Sequence, residues 1–454
     1  MSFEFDKKFI TRLEQLIANQ NDGQLTGHLA ELHPADLAEI LDELSFDEAI
    51  YIMRLLDSET TSDILTELDD DTREKVLQNL SSKEIAEEID ELETDDAADI
   101  IAELPEHQKE EVIQHLEDKE HAKDIVDLLR YDEDTAGGLM GKELIHVNKD
   151  LTINACVIEM RRQAQDVDKV LSVYVVDDDD ILLGRLSLKR LLTADPKSKI
   201  ANLYDETVIA VKANDSAELV AQTMQKYDLF VVPVVDEMGK LVGRITIDDV
   251  VDFIKEEADK DYQMAAGLSE DVEADDSIKE LIKARLPWLI IALLGGFVSV
   301  TVLSSFNDAM NAYASLFFFT PLIAATAGNV GVQSSAIVVQ GLANGTLKGS
   351  MIKRLIKEFS LSLINGIILA IILLIIGHFM GNVIHGFTFK MSLVVSISLV
   401  AVIILASIIG TFVPLILHKK NIDPAVATGP FITTSNDIFG IFIFFTIAKL
   451  ILGF

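Results

Sequence analysis

The carboxylate whose position most constrains its chemistry lies in an apolar stretch near the end of the chain. Asp437 follows Thr433, Thr434 and Asn436 within GPFITTSNDIFGIFIFF. A carboxylate in the middle of a membrane span costs at least ~2.5–3.5 kcal/mol, so it must face water, an ion or a polar partner. Thr433 and Asp437 are four residues apart, and a helix would place both oxygens on one face. Such oxygens suit a hydrated hard cation.

A second apolar stretch, TPLIAATAGNVGVQSSAIVVQ, is interrupted by small and amide residues such as Gly328, Asn329 and Gln333. Small residues at membrane depth commonly serve close helix packing, and that explanation stays open for this stretch alone. Together with the segment of Asp437, the stretch favours a polar path through the membrane. The predicted lining residues are Gly328, Asn329, Gly429, Thr433, Thr434 and Asn436.

The rest of the acidic residues are concentrated before residue 277. That part has 69 acidic and 27 basic residues, a formal charge of −42, whereas residues 277–454 carry +6. Such a surface repels nucleic acid and attracts cations. Cys156 is the only cysteine, so hard oxygen ligands are expected rather than thiolates or disulfides. Divalent cations are therefore the predicted partner, and nucleic acid is not.

Several of these carboxylates are close enough in sequence to share a helix face. Asp95 and Asp99 are four residues apart, Asp249 and Asp252 are three apart, and residues 256–261 contain four acidic side chains. Like charges at this spacing destabilise their own helix unless cations neutralise them. A solvated outer face is the alternative explanation for any single one of them.

An internal repeat positions the first group of carboxylates. A leucine occurs at every twelfth position from residue 32 to residue 128, and each unit contains an apolar pattern of helical spacing with a Ser, Thr or Asp near its start. Stacked short helices form a solenoid with a continuous apolar seam. We predict an all-α solenoid over residues 1–131.

A duplicated α/β pattern follows in residues 132–252. The short β-branched runs LSVYVVD and LFVVPVVD alternate with helical stretches in the same order in both copies, which resembles a tandem pair of CBS modules. CBS modules often bind adenine nucleotides through an Asp three residues after a Ser or Thr. Thr246 and Asp249 fit that pattern, but Ser187 is followed by Arg190, so ATP binding stays an open prediction.

A charged connecting helix is predicted over residues 253–284, followed by a transmembrane domain in residues 285–454. Five stretches reach the ~20 residues that a membrane span requires. No secretory signal is evident, and the basic residues predict a plasma-membrane protein with a cytosolic N-terminus and an external C-terminus. Asp437 is the only acidic residue well inside a predicted span. The spans are near 286–306, 314–342, 359–381, 391–417 and 427–450; Arg285, Lys348, Lys353, Arg354, Lys357, Lys419 and Lys420 are predicted inside, and Lys390 and Lys449 outside.

The acidic repeat, tandem CBS pair, connecting helix and five spans, with AGNVGVQSS and PFITTSND, resemble the MgtE family of magnesium channels and transporters. The resemblance implies a homodimer with a central pore, in which Asp437 holds hydrated Mg²⁺, and sensor sites that join the repeat, the CBS pair and the connector. Gly429 and Lys260 depart from it, since some members carry an asparagine at the first position and an acidic residue at the second. The matching sensor positions are Asp63, Asp95, Asp99, Glu218, Asp228, Asp249, Asp252, Glu257 and Asp261.

Three classes of function are open to such a chain: a gated channel, a secondary transporter and an enzyme fused to a membrane anchor. An enzyme is disfavoured because the sequence contains no nucleophile elbow, no phosphate-binding glycine loop and no histidine-rich metal site. A secondary transporter of divalent cations coupled to H⁺ or Na⁺ usually has repeated membrane halves and several intramembrane ionisable groups. Five predicted spans with one buried Asp do not fit that pattern well. The sequence and its resemblance to the MgtE family therefore predict a Mg²⁺ channel gated by cytosolic Mg²⁺, with the transporter as the alternative. It leaves open the preference among Mg²⁺, Co²⁺, Ni²⁺ and Mn²⁺, because oxygen ligands accept them all.

Overall fold

The computed structural model describes most of the chain as two units, residues 1–255 and residues 256–454. The described residues are 7–453 without 31, 166, 168, 270, 271, 273–275, 345, 348, 381–386, 421 and 428. Lys348, one of the basic residues used to predict the topology, lies outside them.

The first unit begins with short helices stacked as a solenoid. Helices alternate in their packing, so that the third contacts the fifth, the fifth the seventh, and the seventh the ninth. Ser45 and Ser81 each form a capping box at a helix start, which satisfies backbone N–H groups that would otherwise lack a partner. The helices are α1 (Lys7–Ala18), α2 (Asp22–Leu29), α3 (Pro34–Glu43), α4 (Phe46–Met53), α5 (Ser58–Glu67), α6 (Asp70–Asn79), α7 (Ser82–Ile89), α8 (Thr94–Glu103), α9 (Glu106–His115) and α10 (Lys119–Leu128).

The leucines of the twelve-residue repeat lie at the ends of these helices. Leu68, Leu104 and Leu116 each follow the last residue of a helix, and all three are buried in the common core. Because the chain turns at each of them, the repeat marks the turns as well as the apolar seam. The predicted helical solenoid is confirmed.

Two similar three-stranded sheets follow the solenoid. In each one the first strand pairs in parallel with the second, and the second pairs antiparallel with the third, which is the duplicated order expected from the sequence. The predicted tandem CBS pair is confirmed. Its elements are β1 (Ile145–Asn148), α11 (Ile153–Gln163), β2 (Val173–Val176), β3 (Leu182–Leu186), α12 (Leu188–Thr193), β4 (Val211–Lys212), α13 (Ala217–Tyr227), β5 (Val231–Val235) and β6 (Leu241–Thr246).

Long helices account for the remainder of the chain. Within the described residues, five helical segments are long and apolar enough to cross a membrane, which agrees with the five predicted spans. The fourth of these helices, Phe389–Lys419, is the most enclosed by protein, since more than half of its most apolar stretch is buried. The helices are α14 (Ile247–Ala266), α15 (Ile278–Ser304), α16 (Asn307–Ala312), α17 (Thr320–Ala343), α18 (Met351–Met380), α19 (Phe389–Lys419) and α20 (Gly429–Leu452), with 3-10 turns at Ala314–Phe319 and Pro424–Ala427.

Two helices begin earlier than the sequence pattern predicted. α14 starts at Ile247, so Asp249 and Asp252 share a helix with Glu257 and Asp261. α18 starts at Met351, eight residues before the predicted span, because charged residues continue the helix beyond its apolar part. Glu358 therefore lies within a helix long enough to span the membrane, and Asp437 is not the only acidic residue in such a helix.

Candidate functional site

A compact acidic cluster lies in the first unit, where the start of α8 meets the loop before β1. One carboxylate oxygen from each of Glu93, Asp95 and Glu143 lies within 4.8 Å of the other two. All three side chains are half-buried. Mg²⁺ binds oxygen at about 2.0–2.1 Å and usually keeps several waters, so one ion held by these oxygens, with water in the other positions, fits the spacing.

Hydrogen bonds hold two members of the cluster in place. Glu143 accepts from the backbone N–H of Thr94 at 2.9 Å and from its hydroxyl at 3.0 Å. The guanidinium of Arg244 donates to Glu93 at 3.0 Å, and the Arg244 side chain is almost fully buried. Glu93 therefore has a cationic partner, whereas the donors to Glu143 among the described residues are the uncharged groups of Thr94 at the start of a helix.

Burial and the crowding of negative charge raise the pKa values of carboxylates at and beside this cluster. Burial, followed by the charge of Asp249, raises the pKa of Asp95 well above its usual range. The same two causes raise the pKa of Asp96 to about 7, although this residue stays partly accessible to solvent. Burial also raises the pKa of Asp249, although hydrogen bonds from the Thr246 N–H at 2.9 Å and hydroxyl at 2.6 Å oppose the effect. A divalent cation would relieve this repulsion and displace the protons.

Of the predicted sensor residues in the first unit, Asp95 belongs to this cluster, and Asp249 lies near enough for its charge to raise the pKa of Asp95 after burial. Sequence reasoning missed Glu93, Asp96 and Glu143, because about fifty residues separate Glu143 from the others and no spacing rule connects them. The other predicted ligands are on several helices: Asp63 on α5, Asp99 one turn further along α8, Glu218 on α13, and Asp252, Glu257 and Asp261 on α14. Asp228 is the C-cap residue of α13, and its backbone is in the left-handed region. Their metal binding stays a prediction.

On the connector, the predicted departure at Lys260 has a local consequence. The Lys260 ammonium contacts the Glu257 carboxylate at 3.0 Å, so Glu257 has a cationic partner on its own helix. Such an i,i+3 pair at a partly exposed site contributes only a few tenths of a kcal/mol. It nevertheless lowers the negative charge that this part of the connector offers to a cation.

The second unit contains a cleft of about 400 Å³ between α15 and α20. Asp437 borders it together with Thr433 and Thr434 of α20 and Ser299 of α15, so residues with oxygen-bearing side chains from two helices line one space. The predicted lining residues Gly429, Thr433 and Thr434 also border this cleft. Its other lining residues are Ala266, Ala292, Gly296 and Pro430.

The end of α14 packs directly against the start of α20. A methyl group added at Gly429 would overlap the carbonyl oxygen of Ala265, and one added at Gly267 would lie 2.5 Å from the Pro430 ring. The absence of a side chain at Gly429 is therefore explained by this contact. The connector reaches the same turn of α20 that begins the cleft.

Asn436 is placed differently from the prediction that it lines the path. Its side chain is buried, donates to the Ala327 carbonyl at 3.4 Å and occupies the space left by Gly331. Consecutive helical residues point about 100° apart, so Asn436 faces α17 while Asp437 faces the cleft. Gly328 is likewise buried, with the Thr433 methyl 3.3 Å from the position of an added Cβ.

α17 has a buried face, which includes Gly328 and Gly331, and an exposed face on its other side. The exposed face carries three amides, Asn329, Gln333 and Gln340. They share one side of the helix because they are spaced by four and seven residues. Since Ala327 contacts Asn436, Asn329 lies within about one helical turn of Asp437 along the axis. Amides exposed at this depth need water or another protein surface, because lipid cannot satisfy them.

A carboxylate near the start of α18, Glu358, contacts the buried face of α17. The Ser334 hydroxyl donates to Glu358 at 2.6 Å, and Ser334 itself is buried. Sequence analysis missed this pair because the predicted span began one residue after Glu358.

Family comparisons match the solenoid, the CBS pair and most of the membrane helices. Residues 32–134 match the MgtE intracellular N domain, residues 136–197 and 200–256 match the CBS domain, and residues 320–447 match the divalent cation transporter family MgtE.

Individual relatives extend this likeness over the length of the chain. The magnesium transporter MgtE of Thermus thermophilus is 32% identical over 98% of this chain and 99% of its own length. That of Bacillus subtilis is 35% identical over 71% of this chain and 70% of its own. A solved structure of the cytosolic domain of the Mg²⁺ channel MgtE in complex with ATP is 33% identical, covers 54% of this chain and 99% of that chain, and has a TM-score of 0.51. The chain is thus a multi-pass membrane protein and belongs to the MgtE family of magnesium transporters.

Proposed function

We propose that this protein is a Mg²⁺ channel whose conduction falls when cytosolic Mg²⁺ binds its acidic region. The observation that carries the proposal is the cleft lined by Asp437, Thr433 and Thr434, which belong to a helix of membrane-spanning length. A hydrated divalent ion is attracted by the charge and accepted by the hydroxyls without losing its water shell.

The acidic cluster at Asp95 supports the regulatory half of the proposal. Its carboxylates come from the solenoid (Glu93, Asp95) and from the loop before the CBS sheet (Glu143), and the charge of Asp249 at the start of α14 acts on Asp95. Without a cation these elements repel one another, and a bound Mg²⁺ would bridge them. The contact of Gly429 with Ala265 supports the connector as the element that restricts the path.

The exposed amides of α17 support a homodimer with the path between its subunits. A second copy would enclose the face that carries Asn329 and Gln333, together with Asp437, in a common polar space. The concentration of basic residues at one end of the membrane helices supports a plasma-membrane orientation with the acidic region in the cytosol and the C-terminus outside.

Ion flux into vesicles, with Mg²⁺ varied independently on each side, tests this function. A channel of the proposed kind passes Mg²⁺ down its gradient and stops when Mg²⁺ is raised on the side of the acidic region. Uptake that stays unchanged whichever side is loaded would contradict the gating.

A secondary transporter coupled to H⁺ or Na⁺ is the second candidate, and Glu358 favours it because this carboxylate accepts a hydrogen bond from the buried Ser334 of a neighbouring membrane-length helix. The two candidates differ in the electrical current that a patch recording would show. A channel shows unitary current steps in a patch, whereas a transporter moves ions too slowly for such steps and its uptake follows the H⁺ or Na⁺ gradient.

ATP is a further candidate ligand, because the related cytosolic domain was solved with it. In the second CBS copy Asp249 already accepts from Thr246 and lies beside Asp95. In the first copy the Arg190 guanidinium donates to the Leu203 carbonyl at 3.0 Å, where the motif would supply a carboxylate. Any nucleotide site of this chain would therefore rely on the second copy.

Protection of residues 1–255 from proteolysis is expected to rise with Mg²⁺ and, without Mg²⁺, to rise as the pH falls from 8 towards 6. Binding only to the compact arrangement contributes about 2.7 kcal/mol at a hundredfold excess over Kd. The pKa of Asp96 is raised from 3.8 to about 7 in the folded state. Between pH 8 and pH 6, Asp96 therefore takes up a proton in the folded state and stays ionised in the unfolded state. Stability of the metal-free region therefore decreases as the pH rises through 7.

The measurement is limited proteolysis of the full chain at pH 6 and pH 8, with Mg²⁺ from zero to millimolar. Mg²⁺ should protect more strongly at pH 8, where fewer protons compete with it. Equal cleavage at all Mg²⁺ levels, or stronger Mg²⁺ protection at pH 6, would contradict this prediction.

Replacement of Gly429 by Ala is expected to leave conduction high at Mg²⁺ concentrations that close the wild-type channel. The added methyl overlaps the Ala265 carbonyl and must push the end of α14 away from the start of α20. The measurement is Mg²⁺ flux against Mg²⁺ on the side of the acidic region. Gly27→Ala is the control, because a methyl in that helix meets nothing within 4 Å. Closure of Gly429→Ala at the wild-type concentration would count against the connector as the closing element.

A further inference from the structure

A group of basic side chains lies where the start of α18 meets the end of α19. Lys353 and Lys357 of α18 are exposed, as are Lys419 and Lys420 at the end of α19. Arg354 lies between the first two and is partly exposed. None of the five forms an ion pair with a carboxylate within the described part of the chain.

Side-chain contacts fix the two helices in an antiparallel register. Ser362 is hydrogen-bonded to Ser407, Gly366 packs on Val400, and Gly377 packs on Ser392. Extending this register places Arg354 beside Pro414, so Lys419 lies only about five residues, or roughly 7.5 Å, further along the axis. The five cations therefore form one group at one end of the helix pair.

The depth of this group matches the headgroup layer. α19 has 31 residues, a length of roughly 46 Å, which exceeds the ~30 Å hydrocarbon core by about 8 Å at each end. The side chains beside the cations on α18, Ile352, Ile356 and Phe359, are exposed and apolar, as expected of a surface that contacts lipid. Long basic side chains at such a boundary extend towards the phosphates.

We infer that these five residues, Lys353, Arg354, Lys357, Lys419 and Lys420, bind the headgroups of anionic phospholipids in the adjacent leaflet. The occupant follows from charge and position together: unpaired cations at headgroup depth beside apolar side chains. This lipid surface is independent of the ion path, because Asp437 and its cleft involve α15 and α20.

The test uses the full chain with phosphatidylglycerol and phosphatidylcholine supplied in equal amounts, and native mass spectrometry counts the lipids retained. The double variant Lys353→Gln, Lys357→Gln is compared with the double variant Lys390→Gln, Lys449→Gln. The second variant removes the same charge away from the group, at the start of α19 and the end of α20. Each basic residue near a membrane surface contributes about fivefold in affinity, so the first variant should lose phosphatidylglycerol by roughly 25-fold and the second should retain it.

Equal retention by the two variants, or equal loss from both, would overturn the inference. Displacement of the lipid by inorganic phosphate would also overturn it, since a site for free phosphate does not need the acyl chains. If the first variant fails to assemble, the wild-type chain decides: retention of phosphatidylglycerol should fall as salt is raised, and retention that is independent of salt would contradict the proposal.

Discussion

Asp437→Asn is expected to reduce Mg²⁺ flux at least tenfold and to abolish selectivity for Mg²⁺ over Na⁺. The substitution keeps the size and polarity of the side chain and removes its charge. A carboxylate in mid-membrane costs at least ~2.5–3.5 kcal/mol. If ion attraction offsets even half of that cost, its loss corresponds to about a tenfold or larger change. The measurement is flux and ion selectivity in vesicles, after assembly of the variant in the membrane has been verified.

Glu358→Gln provides the matched control for that experiment. It makes the same chemical change in another helix of membrane-spanning length, at a carboxylate that accepts from Ser334 and does not border the cleft. Normal selectivity in Glu358→Gln alongside loss in Asp437→Asn would locate the ion path at the cleft. Retained Mg²⁺ selectivity in Asp437→Asn would count decisively against it.

Asp95→Ala combined with Asp249→Ala is expected to produce a channel that conducts at Mg²⁺ concentrations that close the wild type. These side chains come from α8 and from the start of α14, and the charge of Asp249 adds to burial in raising the pKa of Asp95. Without them a cation cannot bridge the two elements through this cluster. Outer-shell partners alone change metal affinity by about 10–100-fold, so the closing concentration should rise at least tenfold.

Glu110→Ala with Glu120→Ala is the control for charge. Both residues are exposed on the solenoid, and their replacement removes the same number of negative charges. If total charge rather than the cluster governs closure, the two double variants should behave alike. Closure of the Asp95→Ala and Asp249→Ala channel at the wild-type concentration would move the sensor to other residues, with Glu93 and Glu143 tested next.

Local sequence patterns predicted the elements of this protein well wherever a period was sustained. Nine leucines in register predicted the solenoid, the duplicated β-branched runs predicted the two small sheets, and long apolar runs predicted five spans. The starts of helices were predicted less well. In α18, helical structure continues through Lys353 and Lys357 beyond the apolar pattern, and this hid Glu358 from the prediction.

The sequence by itself determined which residue types were available for the site, and the tertiary structure decided which of them meet. The cost of a lone carboxylate in an apolar helix singled out Asp437 before any fold was known. The assembly of Glu143 with Glu93 and Asp95 depends on the packing of the solenoid against the loop before β1. The rotation of α20 decides that Asp437 faces the cleft while Asn436 faces α17. Helix rotation and contacts between residues distant in sequence arise from packing over many side chains, which no local spacing encodes.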